Sequence, residues 1–265
     1  MKKYICFIAM VALFVGCEKE KENKDINEGG FVLHSTINEA NTRVSLDDNG
    51  TSAVVTKWEI GDQVAVQYYD NGSASDITVF TVVDFEDDTH KKAIMKCGEG
   101  IEIPDGADIY AWYPASTALN AEVDLSAGQD GTLETIHGKN VLATTTPTTY
   151  VDGQIVRLYF EHLTSIIKLE LTKSDKITSV DPGLAIKGVN YGYKININPT
   201  GRTIELTPSE TGNVTISNYT VGSTTGPVYT LIAPGKVFGE LDVAANGKAY
   251  DALAKIYVDV PMGCR

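Results

Sequence analysis

The chain has 265 residues and a formal charge of −13, from 22 Lys and Arg against 35 Asp and Glu. With no basic block anywhere, this balance excludes nucleic acid as a partner, because phosphate contacts need clustered cations. Four cysteines and four histidines stand without metal-ligand spacing, so neither a metal nor a cofactor is expected.

The first predicted element is an export signal. Lys2 and Lys3 precede an uncharged run of twelve residues, Ile5 to Gly16. A bilayer span needs about twenty apolar residues, whereas a run of this length falls in the range of a secretory h-region. Phe14-Val15-Gly16-Cys17 resembles the lipobox of bacterial lipoproteins, which implies cleavage between Gly16 and Cys17 and acylation of Cys17. The alternative is an ordinary secretory signal cut elsewhere, with Cys17 incidental. At about 0.8 kcal/mol per buried methylene, two or more acyl chains hold a protein at a membrane where a single chain holds it only marginally. Losing residues 1–16 removes two lysines and no acid, which takes the charge to −15. Residues 17–30 follow as a charged, aperiodic stretch, "CEKEKENKDINEGG", expected to be a flexible tether.

From residue 31 onward, period-two patterns dominate. Predicted strands are "FVLHSTI" (31–37), "QVAVQYY" (63–69), "ITVFTVV" (77–83), "DIYAWYP" (108–114), "IVRLYF" (155–160) and "SIIKLEL" (165–171). Later come "YKINI" (193–197), "RTIEL" (202–206), "NVTI" (213–216), "VYTLIAP" (228–234) and "AKIYVDV" (254–260). In the sixth, Ile167, Leu169 and Leu171 face one way while Lys168 and Glu170 face the other, the mark of a strand with one buried face. Turn-forming clusters such as "DNGS", "NPTG" and "ANGK" separate the strands. Many short strands at this spacing predict an all-β protein of antiparallel sandwiches. A charged stretch with proline and glycine, "TKSDKITSVDPGLAIKG", interrupts the strand pattern and suggests a division into 31–175 and 176–265.

Candidate chemical groups have structural readings. "SLDDNGTS" has oxygen donors in Asp47, Asp48 and Asn49, but it lacks the alternate spacing of a calcium loop, and its "NG" is a hairpin signal. "FEDDTHKK", with Glu86, Asp87, Asp88 and His90, lies between two strand patterns and reads as an exposed turn. Trp58, Trp112, Tyr113, Tyr68 and Tyr69 could line a sugar platform, yet their positions on alternating strands favour packing. Cys97 and Cys264 could pair in an oxidising compartment. No phosphate loop, nucleophile elbow or zinc-protease helix is present, so no catalytic residue is assigned and the chain is not expected to be an enzyme.

Four segments, read in order, resemble the fimbrillin family of Bacteroidales, the subunits and accessory proteins of their surface fimbriae. They are "TKWEIGDQVAVQYY" with Trp58, Gly61 and Asp62; "IYAWYPAS" with Trp112, Tyr113 and Pro114; "NVLATTTPTTYVDGQIVRLYFEHLTSIIKLEL" with Phe160, His162 and Leu163; and "VYTLIAPG". Gly61-Asp62 reads as a turn entering a strand, and His162 is expected to hydrogen-bond backbone where one strand hands over to the next. The resemblance implies two tandem transthyretin-like antiparallel β-sandwich domains after the lipoprotein signal. It also implies an outer-membrane, lipid-anchored precursor at the cell surface whose partners are other fimbrial subunits, with a host or bacterial surface as a further ligand. Adhesion and biofilm formation are the implied roles. In this family a protease removes an N-terminal strand, often after an arginine, and the groove accepts a strand from a neighbour. Arg43 is the only arginine of the N-terminal region and the candidate cut site, against the reading that it is an ordinary charged residue of an uncut accessory subunit. "AKIYVDV", with Ile256, Val258 and Val260 on one face, is the candidate donor, although the tail "PMGCR" departs from the family pattern. A different class of function is an outer-surface lipoprotein that binds glycans through Trp112 and Tyr113. A hydrolase is the least supported.

Overall fold

The computed structural model describes residues 31–38, 44–48, 54–98, 101–126, 128–169, 180–216, 227–233, 235–245 and 248–260. Among the described residues it is all-β, with one helix of five residues. The strands of the N-terminal half are β1 (Val32–Ile37), β2 (Val44–Asp48), β3 (Val54–Val55), β4 (Gln63–Asp70), β5 (Ser73–Ala74) and β6 (Thr78–Phe85). They continue with β7 (Lys92–Lys96), β8 (Asp108–Tyr113) and β9 (Val123–Asp124), then a single-turn helix α1 (Leu133–His137), then β10 (Leu142–Ala143), β11 (Thr148–Thr149) and β12 (Arg157–His162). The rest are β13 (Ser165–Leu169), β14 (Val180–Asn198), β15 (Thr203–Ile216), β16 (Val228–Ile232), β17 (Gly235–Ala245) and β18 (Lys248–Val260).

Seven strands close on themselves in the order β8-β10-β12-β1-β7-β6-β4, with β4 pairing back onto β8. Closure removes the free edges that an open sheet would present. Not all pairing is antiparallel as expected: β1 runs parallel to β12, with His34 opposite Arg157 and Ile37 opposite Phe160. The chain returns to the flank of β1 only after the rest of the ring is laid down, and so long a connection permits a parallel partner. The hairpin expected at "DDNG" is also corrected, since β2 and β3 pair in parallel and β3 is only two residues long. Residues 49–53 lie outside the described residues.

Two cores result. Leu33, Val64, Val66, Phe80, Val82, Met95, Ile109, Leu158 and Phe160 fill the ring, plugged by Trp58. The second core lies outside the ring wall, where Ala65, Tyr110, Trp112 and Ala143 pack against Tyr193 and Ile195 of β14, Ile204 and Leu206 of β15, and Leu231 of β16. β8 serves both: Ile109, Ala111 and Tyr113 point inward while Tyr110 and Trp112 point into the second core. A strand apolar on both faces is what a continuous "IYAWY" run produces.

The expected interruption at 172–188 is partly corrected. β14 already runs from Val180: it pairs with β17 at Val180 and again from Leu184, with a register shift between them that takes up Pro182 and Gly183, and β15 joins from Leu184. Residues 170–179, where the proposed division falls, lie outside the described residues.

Loss of the Trp112 ring opens a cavity between ring and sheet. Trp112→Ala is expected to lower the unfolding free energy by about 3–5 kcal/mol in urea denaturation. Tyr193 is a control in the same core: its hydroxyl is buried with no partner among the described residues, so Tyr193→Phe should leave stability unchanged or raise it. Equal losses for both variants would contradict this packing.

Candidate functional site

The "TKWEIGD" segment enters β4 through a turn closed on itself. The Glu59 N–H donates to Asp62 Oδ2 at 2.9 Å, and the Asp62 N–H donates to the Glu59 carbonyl at 3.1 Å. Gly61 supplies the positive φ of +97° that this turn requires. The turn is pinned to β6 by Gly61 N–H to the Val82 carbonyl and Val82 N–H to the Asp62 carbonyl, both 2.9 Å. The other carboxylate oxygen of Asp62 accepts from the Tyr113 hydroxyl at 3.2 Å, and His137 Nε2 lies 3.2 Å from that hydroxyl and 3.7 Å from Asp62 Oδ1. Trp58 meets Tyr113 and Phe160 edge to face, at centroid separations of 5.7 and 5.2 Å. Three of the segments singled out in the sequence therefore converge at one end of the ring.

The Asp62 carboxylate close by raises the pKa of His137 above its ordinary value, against the opposing effect of burial. Burial, reinforced by the Asp62 charge, raises that of Tyr113. This arrangement braces the β4 entry, the end of β8 and α1. The aromatics pack as their positions favoured: Trp58 and Trp112 are each 1% exposed and Tyr113 is 6%, so these three offer no face to a sugar, while Tyr68 and Tyr69 are partly buried. Trp112 Nε1–H donates to the Thr117 carbonyl at 2.8 Å.

His162 is corrected as well. Its Nδ1 lies 3.3 Å from the Asn140 side chain instead of on backbone. Asn140 Oδ1 accepts from the Thr164 hydroxyl at 2.9 Å, and that hydroxyl accepts from the Val141 N–H at 3.1 Å. Burial pushes the His162 pKa down to about 4. Sequence reasoning missed Gln129, which is fully buried. Its Nε2 donates to the Leu125 and Leu231 carbonyls, and its Oε1 accepts from the Leu231 N–H at 2.7 Å and from the Thr230 hydroxyl. A side-chain amide thus takes the place of a strand along one flank of β16, beside Gly131, where a Cβ would meet Val228 Cγ1 at 2.7 Å. No sequence pattern marks such a residue.

Glu86 also proved more than a member of an exposed turn. It accepts from both guanidinium nitrogens of Arg157, at 2.8 and 3.2 Å, and from His34 Nδ1–H at 2.7 Å. Burial opposes the charge, yet the hydrogen bonds from Arg157 and His34 keep the carboxyl below its ordinary value. Cys97 is a buried free thiol with its Sγ 3.8 Å from the Phe31 carbonyl, and burial raises its pKa. Gly16, Cys17, Arg43 and Cys264 lie outside the described residues.

His162 gives a pH prediction. Its folded pKa lies below the unfolded value near 6.5, so protonation favours the unfolded chain, and stability falls as pH drops from about 6.5 to about 4. The stability difference between the parent and His162→Gln should shrink by up to roughly 3 kcal/mol over that window. His137 has the opposite sign: its contribution is full below about 6.5 and is lost as pH rises through its raised pKa, so the two windows separate. A difference constant from pH 7 to 4 would refute the assignment to His162.

A family model described as fimbrillin-like matches residues 42–264. Among solved structures, a candidate cell adhesion protein from Bacteroides uniformis ATCC 8492 superposes with a TM-score of 0.55 at 15% identity, covering 88% of this chain and 89% of that one. A second, from Bacteroides ovatus ATCC 8483, has a TM-score of 0.51 at 16% identity, covering 83% and 84%. No curated protein matches the chain. The matched span takes in every ring strand except β1, the sheet layered on the ring and all the converging segments, and the chain belongs to the fimbrillin-like family.

Proposed function

We propose that this chain is a stalk, tip or anchor component of cell-surface fimbriae, non-enzymatic, with a role in adhesion and biofilm formation. The single observation that carries this reading is the fimbrillin-like match over residues 42–264. The cell adhesion assignments of the similar structures agree with it. In this reading the chain is exported, cleaved after Gly16, acylated at Cys17 and held at the outer membrane. Residues 31–175 and 176–265 form two tandem transthyretin-like units, and partner subunits join by strand exchange.

Two placements support strand exchange. β1 is an interior member of the ring, paired with β7 on one flank and β12 on the other. A cut after Arg43 separates β1 from the rest of the chain and would leave both flanks, and the places of Leu33 and Ile37, to an incoming strand. Each such side chain contributes roughly 1.5–3 kcal/mol on burial, and each main-chain hydrogen bond about 0.5–1.5 kcal/mol. At the other end of the chain, β18 is the outer strand of the order β15-β14-β17-β18 and contains the donor segment 254–260. An outer strand exchanges partners at lower cost than an interior one, since only one ladder must break.

Cys17→Ala should abolish palmitate incorporation and release the protein from the outer-membrane fraction. N-terminal sequencing of the fimbria-associated form should give a start at Val44, while a start at Cys17 would restrict the chain to an uncut accessory role. Immunogold labelling should mark filaments at shaft, end or base, and absence from all three would overturn the fimbrial reading.

A further inference from the structure

The outer wall of the ring carries a polar depression unrelated to the braced end described above. β12, β1 and β7 lie side by side, and their register sets Tyr159 opposite Thr36 and Thr36 opposite Lys92 in one cross-strand row. Arg157 and His34 form the neighbouring row, with Glu86 fixed against both. Thr36, Glu86, Lys92, Arg157 and Tyr159 line an open cavity of about 370 Å³, within the size range of small-ligand sites.

Each wall group has a definable capacity. The Glu86 carboxylate and Arg157 guanidinium neutralise each other and are held rigid by the bidentate contact. Lys92 is exposed, and its ammonium has no ion-pair partner among the described residues, so the depression keeps one uncompensated cation. Tyr159 is 50% exposed and presents an aromatic face. The Thr36 hydroxyl adds a donor and acceptor on the floor. Beneath them the three strands are paired on both flanks, so no free backbone is offered to a peptide strand. An aromatic face, fixed hydroxyl-binding groups and one spare cation match a pyranose ring bearing a carboxylate. The net charge of −13 does not forbid an anion here, because at physiological salt charges beyond about 8 Å are largely screened and the local lysine decides.

We propose that this depression binds an acidic saccharide, a hexuronate or a sialic acid, with the sugar ring on Tyr159, its carboxylate at Lys92 and its hydroxyls on Glu86, Arg157 and Thr36. The inference rests on the adhesion reading above and names the ligand class that such a surface would take.

The test is calorimetric titration of the purified chain from residue 17 with methyl β-D-glucuronide, N-acetylneuraminic acid and methyl β-D-glucoside. One of the two acids should bind saturably at millimolar concentration, about tenfold or more tighter than the neutral glucoside. Which acid binds separates the uronate from the sialate source. Lys92→Gln should remove the preference for the acid, and Tyr159→Ala should remove binding altogether. Both side chains are exposed, so folding is retained, as circular dichroism will verify. No saturation by either acid up to about 50 mM, or unchanged binding in both variants, overturns the proposal. Displacement of the sugar by a tetraglutamate peptide of equal or greater affinity would overturn it in favour of an acidic peptide. Immunogold labelling of the two variants separates the inferences: filaments that incorporate Tyr159→Ala normally preserve the fimbrial reading whatever the sugar result.

Discussion

The architecture depends on one strand being buried on both sides. Tyr110 and Trp112 on β8 reach outward into the core beneath β14 and β15, while Ile109, Ala111 and Tyr113 reach inward. Because one backbone carries both sets, the ring and the layered sheet cannot shift against each other without unpacking a tryptophan. Val64, Ala65 and Val66 on β4 repeat the pattern beside it. The two neighbouring strands together form a shared wall, with small residues where the layers approach and aromatic ones where they interdigitate.

Polar side chains complete what the ladders leave open. Gln129 satisfies backbone along β16, Asp62 closes the turn into β4, and the Asn140–Thr164 pair holds the chain where β12 passes into β13. Each acts at a point where the backbone changes partner, since a buried amide without a hydrogen bond is costly. This accounts for most of the singled-out residues of the family segments without recourse to a ligand. The group around Glu86 differs: it lies on the outer wall, where the ladder needs no help, and it binds two partners that are already well paired in their own strands.

How much of this was legible in the sequence varied with the physical signal. Alternation marked β6 and β12, and apolar runs marked β4, β8 and β16, which are buried on both faces over part or all of their length. β7 escaped because "KAIMK" is short and begins and ends with lysine, and β17 because glycine and acid dilute its pattern. At the start of β14, Pro182 and Gly183 argued for a break, but pairing with β17 on either side of them outweighed local propensity. The edge-to-face packing of Trp58 with Phe160 and Tyr113 explains why residues so far apart belong to one pattern. The bond from Arg157 to Glu86 spans 71 positions and exists only because the ring closes. No local rule predicts it, just as none predicts Gln129. The expectations for Gly16, Cys17 and Arg43 rest on the sequence alone.

The position of β1 has a mechanical corollary. It is bonded along its length to β7 on one side and to β12, in parallel, on the other. Tension entering through residue 31 and directed along the strand therefore loads the hydrogen bonds of both flanks in shear, all together, instead of peeling them one at a time. A molecule held by its N-terminal side against flow would meet that force with its strongest geometry, and the same six residues would act as the fuse that determines when it lets go.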